Sequence, residues 1–102
     1  GVCVLQGAAD TKTQAIDHVK QGRVEILLVS YDMLRRSEDD LREINWGVVV
    51  FDEFHLLKNP KSAVTGSARL IPAEFRVGLT GTPIQNNLEE LWCLLNVLVP
   101  RR

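Results

Sequence analysis

The sequence predicts an α/β fold, a three-layer parallel sheet with helices on both faces. Three observations carry this reading. Along the 102 residues, short apolar runs alternate four times with segments of helical spacing. Two of the runs, Ile26-Leu27-Leu28-Val29 and Val48-Val49-Val50-Phe51, are continuous and rich in β-branched residues, which suits strands buried on both faces of a parallel sheet. The stretches between runs are long enough to cross over, as parallel pairing requires.

In chain order, residues 2–6 form a short apolar strand ending at Gly7. Asp10 or Thr11 caps a helix with Ala15, Ile16 and Val19 on one face, and Gly22 stops it. Residues 24–30 are the second strand. Met33, Leu34, Leu41 and Ile44 then suggest two short helical pieces joined near Ser37, whose side chain caps the second. Trp46-Gly47 leads into the third strand at residues 48–51. Asn59-Pro60, a cap followed by proline at the first helical position, opens a helix carrying Ala63, Val64, Ser67 and Ala68, which Pro72 ends. Residues 76–80 are the fourth strand. Asn86 or Asn87 caps a last helix with Leu88, Leu91, Trp92 and Leu95 along one stripe, closed by Pro100.

Composition bounds the function classes. Hydrophobic residues at 45% and charged residues at 25% are a globular mixture, which excludes a disordered tail or a low-complexity spacer. No apolar run approaches the ~20 residues of a membrane-spanning helix. Twelve Lys+Arg against thirteen Asp+Glu leave a net charge of −1, with no global basic signature for nucleic acid. Cys3 and Cys93 have neither metal-ligand spacing nor a disulfide framework. Cys93, in an apolar stretch, reads as a reduced core thiol, and an intracellular compartment fits best. The chain opens Gly-Val-Cys with no leader and reads as one unit cut from something longer.

In an open parallel sheet, ligands sit beyond the carboxyl ends of the strands. Asp52-Glu53-Phe54-His55 follows the third strand, and Thr80-Gly81-Thr82-Pro83 lies at the end of the fourth. Consecutive carboxylates at a strand end can hold a hydrated magnesium ion and polarise a water beside a phosphate, since phosphoryl transfer demands mainly positioning and charge neutralisation. A solvated acid pair and a hydrogen-bonded structural histidine are the alternative reading of the same residues.

Taken together, Asp52-Glu53-Phe54-His55, Lys58-Asn59 and the run Leu79-Thr80-Gly81-Thr82-Pro83-Ile84-Gln85-Asn86-Asn87 with Leu88-Glu89-Glu90-Leu91-Trp92 resemble the SWI/SNF-type ATPases of the superfamily-two helicase fold. Residues 48–59 are similar to that family's DEAH-type Walker B motif with its Lys-Asn extension. Residues 79–95 match its Thr-Gly-Thr-Pro motif and following helix almost letter for letter. Val29-Ser30-Tyr31 resembles the Ser/Thr-Tyr segment before the Walker B strand, and the run through Trp92-Cys93 resembles the family's DNA-repair branch.

The resemblance implies a partial RecA-like lobe, residues 1–102 being the later part of the N-terminal ATP-binding lobe. It implies ATP and magnesium as cofactors, double-stranded DNA as partner, with nucleosomes or DNA-bound proteins, a second RecA-like lobe of the same chain, and a nuclear location. Asp52 would help hold magnesium through water, Glu53 would orient the hydrolytic water, and His55 would link the nucleotide site to neighbouring motifs. Thr80, Gly81 and Thr82 would couple hydrolysis to interlobe movement. Gln85, Asn86, Ser30 and Lys58 are candidates for interlobe or DNA-backbone contacts.

Departures and absences qualify this reading. Phe54 stands where a small Ala or Gly is usual and Leu56 where Arg is frequent. A bulky ring at 54 leads to the expectation that its replacement by Ala raises turnover or leaves it unchanged. The sequence contains no GxxxxGK[ST] phosphate loop, and the second-lobe motifs are missing, so residues 1–102 alone are expected to be inactive. A truncated or degenerate non-catalytic interaction module is the rival reading. A helicase-fold motor acting on RNA is disfavoured by residues 80–87.

Overall fold

A computed structural model describes residues 1–81 and 88–99. The chain divides into two compact units, Gly1–Ile44 and Asn45–Arg102. In the first, β1 (Val2–Leu5) and β2 (Ile26–Val29) pair in parallel, Val2 opposite Ile26 and Leu5 opposite Val29. The crossover is α1 (Ala9–Lys20), which lies against β1 and turns Ala15 and Ile16 inward. Ala8 holds the N-cap position without a side-chain bond, so Asp10 sits inside the first turn rather than capping it. Its charge still suits the positive end of the helix. At the other end Gly22 takes φ +74°, and the Gln21, Gly22 and Arg23 amides close on the Asp17, Val19 and His18 carbonyls.

Two short helices follow, α2 (Tyr31–Arg36) and α3 (Glu38–Arg42). Ser30 caps α2, its hydroxyl accepting the Met33 amide at 3.1 Å. Ser37 occupies the joint the sequence predicts, but its buried hydroxyl donates to Met33 Sδ at 3.3 Å and makes no cap bond. Arg35 and Arg36 both pair with Asp32, at 3.0 and 2.9 Å, and the Arg35 bond followed by the Arg36 charge lowers the Asp32 carboxyl below its ordinary range.

The second unit repeats the plan. β3 (Trp46–Phe51) and β4 (Ala73–Gly78) pair in parallel from Trp46 opposite Ala73 to Phe51 opposite Gly78, with α4 (Ala63–Leu70) on the crossover and α5 (Leu88–Leu98) closing the chain. Ser62, not Asn59, is the N-cap residue of α4. Asn59 Oδ1 instead accepts the Lys61 amide at 3.0 Å, a local turn that competes with helix initiation. β4 begins at Ala73, ahead of the predicted Arg76, because Pro72 breaks the helix early enough for the strand to start at once. A 3₁₀ turn, Phe54–Leu57, follows the acid pair and has no counterpart in the sequence pattern.

Leu57 is the hub of this unit. It is fully buried, and its carbonyl accepts Thr65 Oγ1 of α4 at 3.2 Å and Cys93 Sγ of α5 at 3.4 Å. Phe51, Phe54, Ala68, Ile71, Leu94 and Val97 complete the buried apolar set. Arg76 caps the end of α4 by donating to the Ala68 and Ile71 carbonyls, and its partial burial lowers the guanidinium pKa. Among the described residues no buried side-chain nitrogen or oxygen lacks a partner.

One expectation fails in both units. The continuous apolar runs suggest strands covered on both sides, yet Val2, Val4, Ile26 and Leu28 are exposed along one face, as are Val48, Val50, Phe75 and Val77 along another. Register explains the grouping, since Val2 and Val4 lie opposite Ile26 and Leu28, and Val48 and Val50 opposite Phe75 and Val77.

Candidate functional site

β3 delivers a buried phenyl, Phe51, and then emerges as two exposed acids, Asp52 and Glu53. The Glu53 amide donates to Asp52 Oδ1 at 2.9 Å, so one carboxylate oxygen is turned back onto the chain. Glu53 has φ 49° and ψ 47° and is the sole non-glycine at positive φ among the described residues. That conformation costs an L-residue roughly 1–2 kcal/mol. Such strain persists where neighbours over-determine the backbone. Here the Leu79 amide donates to the Phe51 carbonyl at 2.9 Å and the Phe54 amide donates to the Leu79 carbonyl at 2.8 Å. Both backbone groups of Leu79 therefore brace the acid turn.

His55 joins the two strand ends. Its Nδ1 lies 2.9 Å from Thr80 Oγ1, just beyond β4, and its Nε2 lies 3.7 Å from Glu53 Oε2. The neutral tautomer with hydrogen on Nε2 suits both neighbours: Nδ1 accepts the Thr80 hydroxyl, and Nε2–H faces the carboxylate. The opposite tautomer would turn a lone pair toward that carboxylate. At 3.7 Å the Glu53 contact is electrostatic rather than a hydrogen bond. The site thus brings Asp52, Glu53, His55 and Thr80 together, with exposed Gly81 following.

The other predicted residues sit elsewhere. Lys58 Nζ is 3.6 Å from Glu90 Oε2 and ties the end of the 3₁₀ turn to α5. Ser30 is the α2 cap in the first unit. Thr82, Gln85 and Asn86 lie outside the described residues.

The donor set suits magnesium bound largely through its waters. Adjacent exposed carboxylates are hard oxygen donors that can hold a cation which keeps several of its own waters. Chemically, the arrangement can hold such a cation, orient a water and report on its state through an imidazole–hydroxyl bond.

Two features escape a reading of motifs. The first is the Lys58–Glu90 pair. The second is Gly78, over which the Phe54 ring lies so closely that a Cβ there would stand 2.5 Å from Cδ2 and 2.6 Å from Cγ. A glycine inside a strand is the sequence signal for such close approach. The ring expected to disturb the site therefore has a place made for it.

The family model for the SNF2-related domain matches residues 1–102. The ISWI chromatin-remodeling complex ATPase ISW2 of Saccharomyces cerevisiae is 41% identical over 100 residues, covering 97% of this chain and 9% of its own length. The DNA excision repair protein ERCC-6-like 2 of Mus musculus is 39% identical over 99 residues, covering 97% of this chain and 6% of its own. The chain thus spans under a tenth of these relatives. The solved Sulfolobus solfataricus SWI2/SNF2 ATPase core in complex with dsDNA superposes with a TM-score of 0.67 at 24% identity, over 97% of this chain and 24% of that one. That likeness shows the fold: α/β with parallel strands, as in the core of that ATPase. With the family model matched from the first residue to the last, the chain belongs to the SNF2-related domain family.

Proposed function

We propose that residues 1–102 are the later part of the first RecA-like lobe of an ATP-driven translocase on double-stranded DNA, a chromatin remodeller or remover of DNA-bound proteins. One observation carries the reading: an acid pair at the end of β3 is wired through His55 to Thr80 at the end of its parallel neighbour. Asp52 would hold magnesium through water. When bound, that ion neutralises phosphate charge. Glu53 orients the attacking water and takes its proton at a carboxylate oxygen. His55 passes the state of that carboxylate to Thr80, and residues 80–82 carry it toward the second lobe. Gln85, Asn86, Ser30 and Lys58 serve interlobe or DNA-backbone contacts; Lys58 would exchange Glu90 for phosphate, a small cost because a half-exposed ion pair contributes only about 0–1 kcal/mol.

The Sulfolobus solfataricus core was solved with dsDNA, which supports duplex DNA as the partner. The yeast relative is a chromatin-remodeling ATPase, which supports a nuclear, chromatin-bound location. Among the described residues no helix is long and apolar enough to cross a membrane.

The test is Glu53→Gln in the complete two-lobed protein. The substitution keeps the shape and removes the base, so turnover falls by about 10²–10⁴ while ATP binding, read with a fluorescent nucleotide, persists. Turnover at the wild-type rate would refute the assignment. Loss of both binding and turnover without loss of fold would give Glu53 a different role.

A further inference from the structure

The Phe54 ring is buried at 4% exposure, 6.1 Å from the Phe51 ring at a 34° tilt, and lies across the bare backbone of Gly78. Its own amide is held by Leu79, the residue after that glycine. One side chain thus touches both strand ends, between the strained Glu53 on one side and His55 on the other. We propose that Phe54 and Gly78 form a size-matched pair, a ring lodged over an absent side chain, that positions Glu53 and His55 for hydrolysis. This rests on the reading of Glu53 given above.

The physical case is one of constraint. Glu53 keeps a left-handed conformation only while the residues around it hold the turn closed. Backbone bonds brace the turn from the Leu79 side, and the ring is its side-chain anchor. Removing the ring leaves a cavity beneath the turn, and the backbone relaxes toward ordinary φ. Adding a methyl at 78 drives the ring outward, because no real Cβ sits 2.5 Å from a ring carbon. Both changes shift the carboxylate and the imidazole together without touching either. Phe54 is thus a positioning residue, and its ring fills the space that a side chain at 78 would take.

The experiment uses the complete protein with duplex DNA and measures kcat, KM for ATP, nucleotide binding and thermal melting. Phe54→Ala and Gly78→Ala are each expected to lower kcat by ~10-fold or more, since misplacement of about 1 Å can cost ~10²-fold, while KM and nucleotide binding stay within about 2-fold. The double variant, in which the new methyl takes space the ring has left, is expected to turn over faster than either single. Losses that simply multiply in the double would overturn the pair. So would wild-type kcat in both singles when Glu53→Gln is dead, an outcome that spares the assignment of Glu53. An active Glu53→Gln variant would overturn that assignment itself. Where a single variant fails to fold, the double decides: folded and active supports the pair, unfolded or inactive overturns it.

Discussion

Thr80 is bonded to the His55 imidazole, and that sets what its loss should do. Thr80→Ala with Thr82→Ala in the complete protein removes hydroxyls that bring no charge to the transition state. ATP binding and much of the basal hydrolysis are expected to survive, while DNA stimulation and translocation fall far more steeply. ATPase assays with and without duplex DNA, run beside a remodelling assay, check this. Equal loss in all three would place the threonines in the chemical step. At this scale the sequence marks candidate residues and is silent about how they meet. Asp52, Glu53, His55 and Thr80 stand out as polar residues at strand ends, whereas the bond between His55 and Thr80 depends on the register of β3 with β4. The fit of Phe54 over Gly78 depends on the same register, so a ring read alone looks like an intrusion.

Elements were legible where one device defines an end and obscure where two compete. Gly22 and Pro72 stop helices because positive φ and a missing amide leave no alternative. Asn59-Pro60 looks like a helix start, but Asn59 satisfies Lys61 locally and Ser62 becomes the cap residue. The 3₁₀ turn left no pattern to read, being four residues held by Phe54 and Leu57 burial and by bonds from two helices. One of those bonds supports a prediction about Cys93. Burial raises its thiol pKa, and its Sγ is engaged with the Leu57 carbonyl. At pH 8 native Cys93 is therefore expected to react with iodoacetamide at least ~10-fold more slowly than in denaturant, because the thiolate is the nucleophile. Since the folded-state pKa is raised, labelling should begin at higher pH than for an ordinary thiol. Peptide-resolved mass spectrometry reads the site, and equal rates folded and unfolded would mean that α5 does not seal over the turn.

For the whole molecule, alternation of runs and helical segments was enough to predict parallel α/β architecture, because crossover length and handed packing leave few other arrangements. Burial on both faces was not legible in the same way. A β-branched run states what a strand can tolerate, and neighbours decide what covers it. Function at this scale follows from what residues 1–102 contain. They hold the acid turn and the Thr-Gly-Thr-Pro segment but no GxxxxGK[ST] loop whose amides cradle phosphate. Purified alone, they are expected to show no DNA-stimulated ATP hydrolysis in a phosphate-release assay. Measurable turnover would mean that phosphate is gripped by groups other than a Gly-rich loop.

The uncovered valines, isoleucine, leucine and phenylalanine of the two strand pairs also govern how this polypeptide behaves in a test tube. Apolar patches of that kind make proteins adhere to each other and to chaperones. With a net charge of only −1, electrostatic repulsion offers little to keep copies apart. Yield, solubility and recovery from inclusion bodies will therefore respond to Val48, Val50, Phe75 and Val77 more than to anything in the acid turn. Polar substitutions there are expected to lower self-association, read by light scattering of the purified chain.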